Sequence, residues 1–196
     1  MPRAKQRTPE LRDKVLDVAI TALNEHGISG FTTRRVADLA GTSVPAVYEL
    51  FDDKAGLVRQ VFFEGFRLLG RELGTVPATD DPLADVERLA PVFRRFCLKR
   101  PALAQVMFSR PFADFEPGPE ELAAGASVRE VFIGRIQRCV DAGLLVGDAT
   151  DIAHVLLALV QGLAVQEGGR WLGNSRASVN RRWTLGVRTL LNGFAS

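Results

Sequence analysis

The chain has 196 residues, of which 46% are hydrophobic and 24% are charged. These values are ordinary for one or two globular domains and exclude a disordered chain and a collagen-like fibre. The formal net charge of +2 is close to neutral, so the chain lacks the strongly basic balance of many nucleic-acid-binding domains.

The first predicted helix spans residues 9–26. Its apolar side chains recur every three or four residues, at Leu11, Val15, Ala19 and Ala22. Thr8 is placed to cap the N-terminus, Pro9 suits the first helical position, and Gly27 ends the helix.

Two short helices are predicted between residues 31 and 51. Thr32 or Thr33 caps the first of them, and Ser43 caps the second. A three-residue turn, Ala40-Gly41-Thr42, joins them, and this arrangement is typical of a helix-turn-helix. In such a unit the second helix places its N-terminal residues against base edges in the major groove of DNA. Any all-α protein contains helical hairpins, so the spacing alone leaves a purely structural role open.

Helical periodicity continues to the C-terminus, and no strand pattern interrupts it. A longer helix follows at about 53–73, and a loop follows at 74–82. Further helices are predicted at 82–99, 101–109, 119–144, 148–167 and 176–193. The sequence therefore predicts an all-α fold with about nine helices. Its predicted parts are an N-terminal arm and helix-turn-helix domain over residues 1–54, a connecting helix, and a larger helical domain over residues 74–196.

Several other classes of protein find no support in the sequence. The longest apolar run, residues 152–165, is interrupted by His154 and Gln161 and is shorter than the roughly 20 residues of a membrane span. No apolar segment follows the basic N-terminus, so we expect a cytoplasmic protein without a membrane partner. Cys97 and Cys139 form no CxxC pair and no cluster with the two histidines, so we expect buried thiols and no metal. No nucleophile motif, P-loop, GxGxxG or HExxH occurs, so we expect neither an enzyme nor a cofactor.

A series of short motifs occurs without a gap between Val15 and Val58. A helix ending in Glu-x-Gly precedes Phe-Thr-Thr and then Val-Ala-x-Leu-Ala-Gly, and these are followed by Ser43, Ala46, Tyr48, Phe51 and Asp53-Lys54. This series resembles the DNA-binding domain of the tetracycline-repressor (TetR) family of bacterial transcription regulators. The resemblance covers about a quarter of the chain, and the rest resembles the family only in length and helical character.

The resemblance implies that double-stranded operator DNA is a partner. The implied DNA contacts are Thr33, Arg34, Ser43, Val44, Pro45, Val47, Tyr48 and Lys54. Tyr48 is expected to hydrogen-bond a phosphate. Lys54 is expected to bind a phosphate at the start of the fourth helix, where helix N–H groups add to the attraction. The basic arm is expected to add salt-sensitive, nonspecific affinity.

The sequence departs from the family pattern at two places in the second short helix. Leu50 occupies a position where the family often has histidine, so one phosphate contact is expected to be lost. Val44 and Pro45 replace polar or glycine residues, and neither side chain can form a bidentate hydrogen bond to a base. Direct readout is then expected to depend on Thr33, Arg34 and Ser43, together with apolar contacts to thymine methyl groups.

The resemblance also implies an effector pocket and a dimer interface in residues 74–196. The predicted pocket residues are Phe93, Phe96, Met107, Phe108, Phe112, Phe132 and Gln161, and plain core packing is the alternative for them. The predicted interface residues are His154, Ala158, Gly162, Trp183, Val187 and Leu190, and closure of the monomer's own core is the alternative. The resemblance thus implies a homodimeric repressor that a small apolar or aromatic effector releases from a palindromic operator. The competing interpretation is a small-molecule carrier or protein-binding module that has lost DNA binding.

Overall fold

The computed structural model describes residues 8–109 and 118–196, except for the side chains of residues 121 and 122. These parts contain ten α-helices: α1 Pro9–Gly30, α2 Thr33–Ala40, α3 Val44–Phe51, α4 Lys54–Gly74, α5 Pro82–Lys99, α6 Pro101–Ser109, α7 Pro119–Ala124, α8 Ala126–Asp141, α9 Ala149–Gly168 and α10 Arg176–Asn192. The predicted all-α fold is confirmed. The tenth helix arises because the predicted helix 119–144 is divided at Gly125 into α7 and α8.

The chain forms two compact units, which do not follow simple chain order. The N-terminal unit combines residues 1–65 with residues 100–122, and the C-terminal unit combines residues 66–99 with residues 123–196. In the N-terminal unit, α6 packs against α1 although many residues separate them along the chain. The predicted domain limits of 1–54 and 74–196 rest on sequence alone and stay a prediction.

The predicted start of the first helix is confirmed, and its predicted end at Gly27 is a kink within a longer helix. Thr8 Oγ1 accepts a hydrogen bond of 3.2 Å from the backbone N–H of Leu11, and Pro9 occupies the first turn. Gly27 has φ 66°, a conformation that favours glycine, and it interrupts the helical geometry at the expected residue. A last turn beyond this kink extends α1 to Gly30.

The C-terminal unit is built around α5, α8, α9 and α10, which pack against one another. Its centre contains large side chains that are almost completely buried, among them Phe93, Phe96 and Phe132. Both cysteines are buried, as expected. Burial, followed by the charge of Glu167, raises the pKa of Cys97 to about 12, so its thiol stays protonated.

A buried aspartate connects α5 and α8 in this unit. Asp85 is fully buried, and its carboxylate accepts hydrogen bonds from Arg88, from Thr79 N–H and from Arg138, the last two at 2.8 and 2.7 Å. Arg135 lies 3.6 Å from the same carboxylate. Burial acts to raise the pKa of Asp85, but the Thr79 and Arg138 hydrogen bonds and the charge of Arg88 more than offset it and hold the pKa below its usual range.

One helix of the described part, α9, is long and apolar enough to cross a membrane by length and composition alone. The sequence analysis had judged the apolar run at residues 152–165 too short for a membrane span. The same test is passed by core helices of water-soluble proteins, and α9 buries one face that includes Ile152, Leu156 and Val160. This face packs in the C-terminal unit, so α9 is a core helix there.

Candidate nucleic-acid interface

A short turn joins the two short helices of the N-terminal unit, and hydrogen bonds cap the helix termini around it. Thr32 caps α2 by accepting a hydrogen bond of 3.2 Å from Arg35 N–H. Gly41 has φ 68°, and the following residue donates its N–H to the Ala37 carbonyl at 2.9 Å. This is the Schellman pattern, which satisfies the last carbonyls of a helix. Ser43 then caps α3 by accepting a hydrogen bond of 3.3 Å from Ala46 N–H.

The second short helix, α3, has a buried face and an exposed face. Val47 and Phe51 are buried, and this fixes the rotation of α3 against the core of the unit. Ser43, Pro45 and Tyr48 are exposed, and 41% of the surface of Tyr48 is accessible. The expected place of Val47 on the exposed start of α3 is wrong, because its side chain points into the core.

Two neighbouring candidate DNA contacts on α2 differ in their exposure to solvent. Arg34 is exposed, whereas Thr33 is only 7% exposed and offers little surface to a nucleic acid. The prediction that Thr33 contacts DNA is therefore corrected, because its side chain is largely buried. Arg35 is also exposed, but its Nη1 donates a hydrogen bond of 2.6 Å to the Gly30 carbonyl and ties α2 to the end of α1.

A very tight connection fixes the start of α4. Asp52 has φ 67°, and Asp53 N–H donates to the Phe51 carbonyl at 2.8 Å, which closes a γ-turn. Asp53 Oδ1 then accepts a hydrogen bond of 2.7 Å from Gly56 N–H and caps α4. A Cβ atom at Gly56 would overlap the Phe51 carbonyl oxygen, so this position requires glycine. Lys54, the first residue of α4, is exposed, and its contact with a phosphate stays a prediction.

Two cations from α1 lie beside α3, and the sequence analysis had not placed them there. The Arg12 guanidinium lies over the Phe51 ring, 5.2 Å from its centroid, at the end of α3. Lys14 Nζ lies 3.9 Å from the position that a Cβ atom at Gly41 would take, just before α3 begins. Both belong to the basic N-terminal stretch of the sequence, and packing brings Arg12 to the end of α3 and Lys14 to the turn before it. The arm before Thr8 lies outside the described residues.

The predicted pocket residues are distributed over both units. Phe93, Phe96 and Phe132 have no accessible surface and belong to the core of the C-terminal unit. Met107 is buried and Phe108 is half-buried on α6, in the N-terminal unit, and Phe112 lies outside the described residues. Gln161 is half-buried on α9. The members of this set that the structure describes do not line the groove between α5 and α10 of the C-terminal unit.

The predicted dimer residues fall into two groups. His154, Ala158 and Gly162 are exposed on the face of α9 opposite its buried side, and Leu190 of α10 is half-buried. Trp183 and Val187 are buried inside the same chain. Their assignment to the interface is therefore corrected, because their surface is already covered within one protomer. Exposed Val155 and Val165 extend the α9 face, and the sequence analysis had not singled them out.

Solved structures share this fold over nearly the whole chain. A protein of unknown function from Rhodococcus sp. RHA1 is 25% identical, with a TM-score of 0.82 over 97% of this chain and 98% of that one. The fatty acid degradation regulator FadR from Bacillus halodurans is 12% identical, with a TM-score of 0.72 over 95% and 96% of the two chains. The regulator PfmR from Thermus thermophilus is 17% identical, with a TM-score of 0.67 over 91% and 97%. No curated protein matches the sequence.

Two family models match the sequence itself. The model of bacterial regulatory proteins of the tetR family matches residues 15–61, which include α2 and α3. The model of tetracyclin repressor-like C-terminal domains matches residues 86–190, which is more than half of the chain. A capped helix-turn-helix with an exposed recognition surface, followed by this C-terminal domain, places the chain in the tetracycline-repressor family of DNA-binding transcriptional regulators.

Proposed function

We propose that the protein is a cytoplasmic homodimeric repressor that binds a palindromic operator and is released by a small effector. The observation that carries this proposal is the geometry of α3. Val47 and Phe51 anchor one face of this helix in the core, and the opposite face presents Ser43, Pro45 and Tyr48. A rigidly held helix with an exposed N-terminal end is what entry into a major groove requires. The protein acts by binding, and catalysis has no part in this proposal.

The proposed DNA contacts are the exposed or partly exposed members of the predicted set: Arg34, Ser43, Val44, Pro45, Tyr48 and Lys54. Tyr48 and Lys54 bind phosphates, which fix the position of the protein on the duplex but carry little sequence information. Arg34 and Ser43 supply polar contacts. Val44 and Pro45 contact thymine methyl groups, because they have no side-chain donor or acceptor for a base edge.

The exposed face of α9 supports the proposed dimer. Val155 and Val165 are large apolar residues with about half of their surface exposed, at 49% and 58%, and Ala158 and Gly162 lie between them. Leu185 of α10 is also exposed. Small residues between larger ones let two helices approach closely, and the same face of a second copy would cover the valines. A twofold dimer presents two α3 helices, which matches half-sites about 34–36 Å apart on B-DNA.

The effector acts, in this proposal, by preferring a conformation that binds the operator poorly. Only a difference in effector affinity between the two conformations is needed to lower operator affinity. The effector is a small molecule that the C-terminal unit binds.

The dimer is tested by replacing one exposed valine and comparing it with an equally exposed valine elsewhere. Val165→Glu places a charge on the α9 face, whereas Val146→Glu places it on a residue that is 63% exposed in the loop after α8. We expect sedimentation equilibrium to show a monomer only for Val165→Glu. Dimers of equal stability for both variants would contradict the proposed interface.

Operator binding is tested by a fluorescence-polarisation titration against DNA from upstream of the protein's own gene, at two salt concentrations. A scrambled duplex is the control. We expect tighter binding to the upstream duplex and a loss of this binding in Val165→Glu. Absence of DNA binding even at low salt would favour the carrier or protein-binding alternative.

A further inference from the structure

A surface groove of about 500 Å³ lies between α5 and α10 in the C-terminal unit. Its apolar lining residues are Ala90, Pro91, Trp183 and Val187, of which Pro91 is exposed and the other three are almost completely buried. A volume of this size is within the range of sites that bind small molecules. The groove is thus a candidate site for the apolar part of a ligand, and it is separate from the buried phenylalanines of the core.

The charged residues of the groove are predominantly positive. Arg94, Arg176 and Arg188 line it together with one acidic residue, Glu87. Arg188 Nε and Nη2 lie 3.3 and 3.4 Å from the Glu87 carboxylate, and Arg188 is exposed. Glu87 therefore compensates the charge of Arg188, as Glu167 compensates that of Arg94. Arg176, at the start of α10, is also exposed.

The inner wall of the groove is held rigidly by a network around Arg94. Arg94 donates two hydrogen bonds of 2.7 Å to the Glu167 carboxylate, and its guanidinium lies 5.5 Å from the centroid of the Trp183 ring. Trp183 Nε1 donates to the same carboxylate at 2.8 Å. Because these side chains are already ordered, a ligand that contacts them incurs little additional loss of side-chain entropy.

The same network leaves a hydrogen-bond donor in the groove. Arg94 Nη1 donates to Asn180 Oδ1 at 2.7 Å, so the acceptor of this amide is occupied while its NH₂ group can donate. Thr184 supplies a hydroxyl in the same lining. The polar lining groups that lack a strong partner are therefore cations and donors, and they suit an anionic acceptor.

We propose that the groove between α5 and α10 binds a small amphipathic carboxylate. Its carboxylate lies against Arg176 and the Asn180 amide, one turn apart on α10, and its apolar body contacts Pro91. Charge-assisted hydrogen bonds to guanidinium groups select the anion, and the apolar wall selects an organic acid over a simple inorganic anion. Arg94 and Arg188 are already paired with Glu167 and Glu87, so Arg176 is the lining cation whose charge the bound carboxylate neutralises.

The groove is bordered by α10, the helix that also carries Leu185 of the proposed dimer face. Trp183 and Leu185 are two residues apart on α10, so they lie on nearly opposite faces of this helix. One face borders the groove and the other is exposed. A ligand that repositions α10 therefore changes the surface available to a second copy. This regulatory role rests on the proposed function, whereas the binding site itself does not.

The site is tested with 4-phenylbutyrate and with its uncharged amide, 4-phenylbutanamide. Binding is measured by calorimetry and by the fluorescence of Trp183 in the Trp171→Phe variant, which leaves Trp183 as the single tryptophan. We expect one acid molecule per chain, bound at least about tenfold more tightly than the amide because of the guanidinium contacts. Equal binding of the two compounds, or no binding of the acid at millimolar concentration, would overturn the proposal.

Matched variants locate the bound acid. Arg176→Gln should weaken binding of the acid by about tenfold and leave the amide unaffected. Arg181→Gln is the control, because Arg181 is an exposed arginine of α10 that does not line the groove. Circular dichroism establishes that each variant is folded. Similar acid binding by the wild type and Arg176→Gln would refute the site.

A separate measurement keeps the site and the proposed regulation apart. The titration of the upstream duplex is repeated with saturating 4-phenylbutyrate. Weaker DNA binding, absent in Arg176→Gln, supports the effector role. Confirmed binding of the acid without any change in DNA affinity would establish the site and contradict its coupling to DNA.

Discussion

Replacement of Tyr48 by phenylalanine isolates the contribution of one hydroxyl group to DNA binding. Tyr48 is exposed on α3, and its hydroxyl forms no hydrogen bond with the described residues. The substitution therefore removes no interaction within the protein. We expect the free energy of unfolding to change by less than about 0.5 kcal/mol.

The expected effect on DNA affinity follows from the number of half-sites. A hydrogen bond to a charged group contributes about 1.5 kcal/mol or somewhat more. A dimer loses two such bonds, about 3 kcal/mol in total, which corresponds to a roughly 100-fold weaker complex. A protein that engages a single half-site would lose only about tenfold. The size of the effect thus also reports how many copies contact the duplex.

The assay is the fluorescence-polarisation titration with the upstream duplex and its scrambled control. Because a phosphate contact carries little sequence information, both duplexes should lose affinity by a similar factor. The salt dependence should remain the same, since phenylalanine and tyrosine carry equal charge at neutral pH. A loss confined to the upstream duplex would show that Tyr48 reads a base, and unchanged affinity for both would show that its hydroxyl does not contact DNA.

Three further predictions concern charge, packing and acid sensitivity. Lys54→Gln should reduce the slope of log affinity against log salt by about 0.9 per half-site, and an unchanged slope would exclude a phosphate contact. Gly56→Ala should destabilise the protein by about 1–3 kcal/mol in urea unfolding, because its methyl group would overlap the Phe51 carbonyl oxygen. Gly74→Ala is the control, since nothing lies within 4 Å of a Cβ atom there, and equal stabilities would contradict the geometry. The depressed pKa of Asp85 predicts stabilisation that is complete above the ordinary value of 3.8 and is lost as the pH falls through the lower folded value. Asp85→Asn should therefore be less stable at neutral pH in urea unfolding, with a difference that shrinks in acid, and a constant difference would refute this role.

Local interactions explain why the helix-turn-helix of the N-terminal unit was largely predictable from sequence. The caps at Thr8 and Ser43 and the left-handed turn at Gly41 join groups only a few residues apart. Such interactions depend on residue type and spacing, which the sequence shows directly. Leu11 and Val15 likewise mark one face of α1 by their spacing alone.

Other features depend on which helices pack together. Val47 and Tyr48 are neighbours in the sequence, yet the packing of α3 buries one completely and exposes the other. Arg12 reaches the Phe51 ring at the end of α3, and Lys14 reaches the Gly41 turn before it, only through tertiary packing. The residue types alone did not show which side chains are buried, because a short helix such as α3 has apolar residues on more than one side.

The C-terminal unit shows the same division between local pattern and tertiary structure. Helical periodicity predicted most of its helices, and the sequence by itself determined that the chain is all-α. The groove between α5 and α10 depends on Arg94, Glu167 and Trp183, and Arg94 and Glu167 are 73 residues apart in the chain. Only the tertiary structure decided that Trp183 is buried within one chain and that Phe93 belongs to the core. The physical reason is that periodicity identifies the apolar face of a helix, whereas the helix that covers this face is chosen by side-chain packing between distant segments.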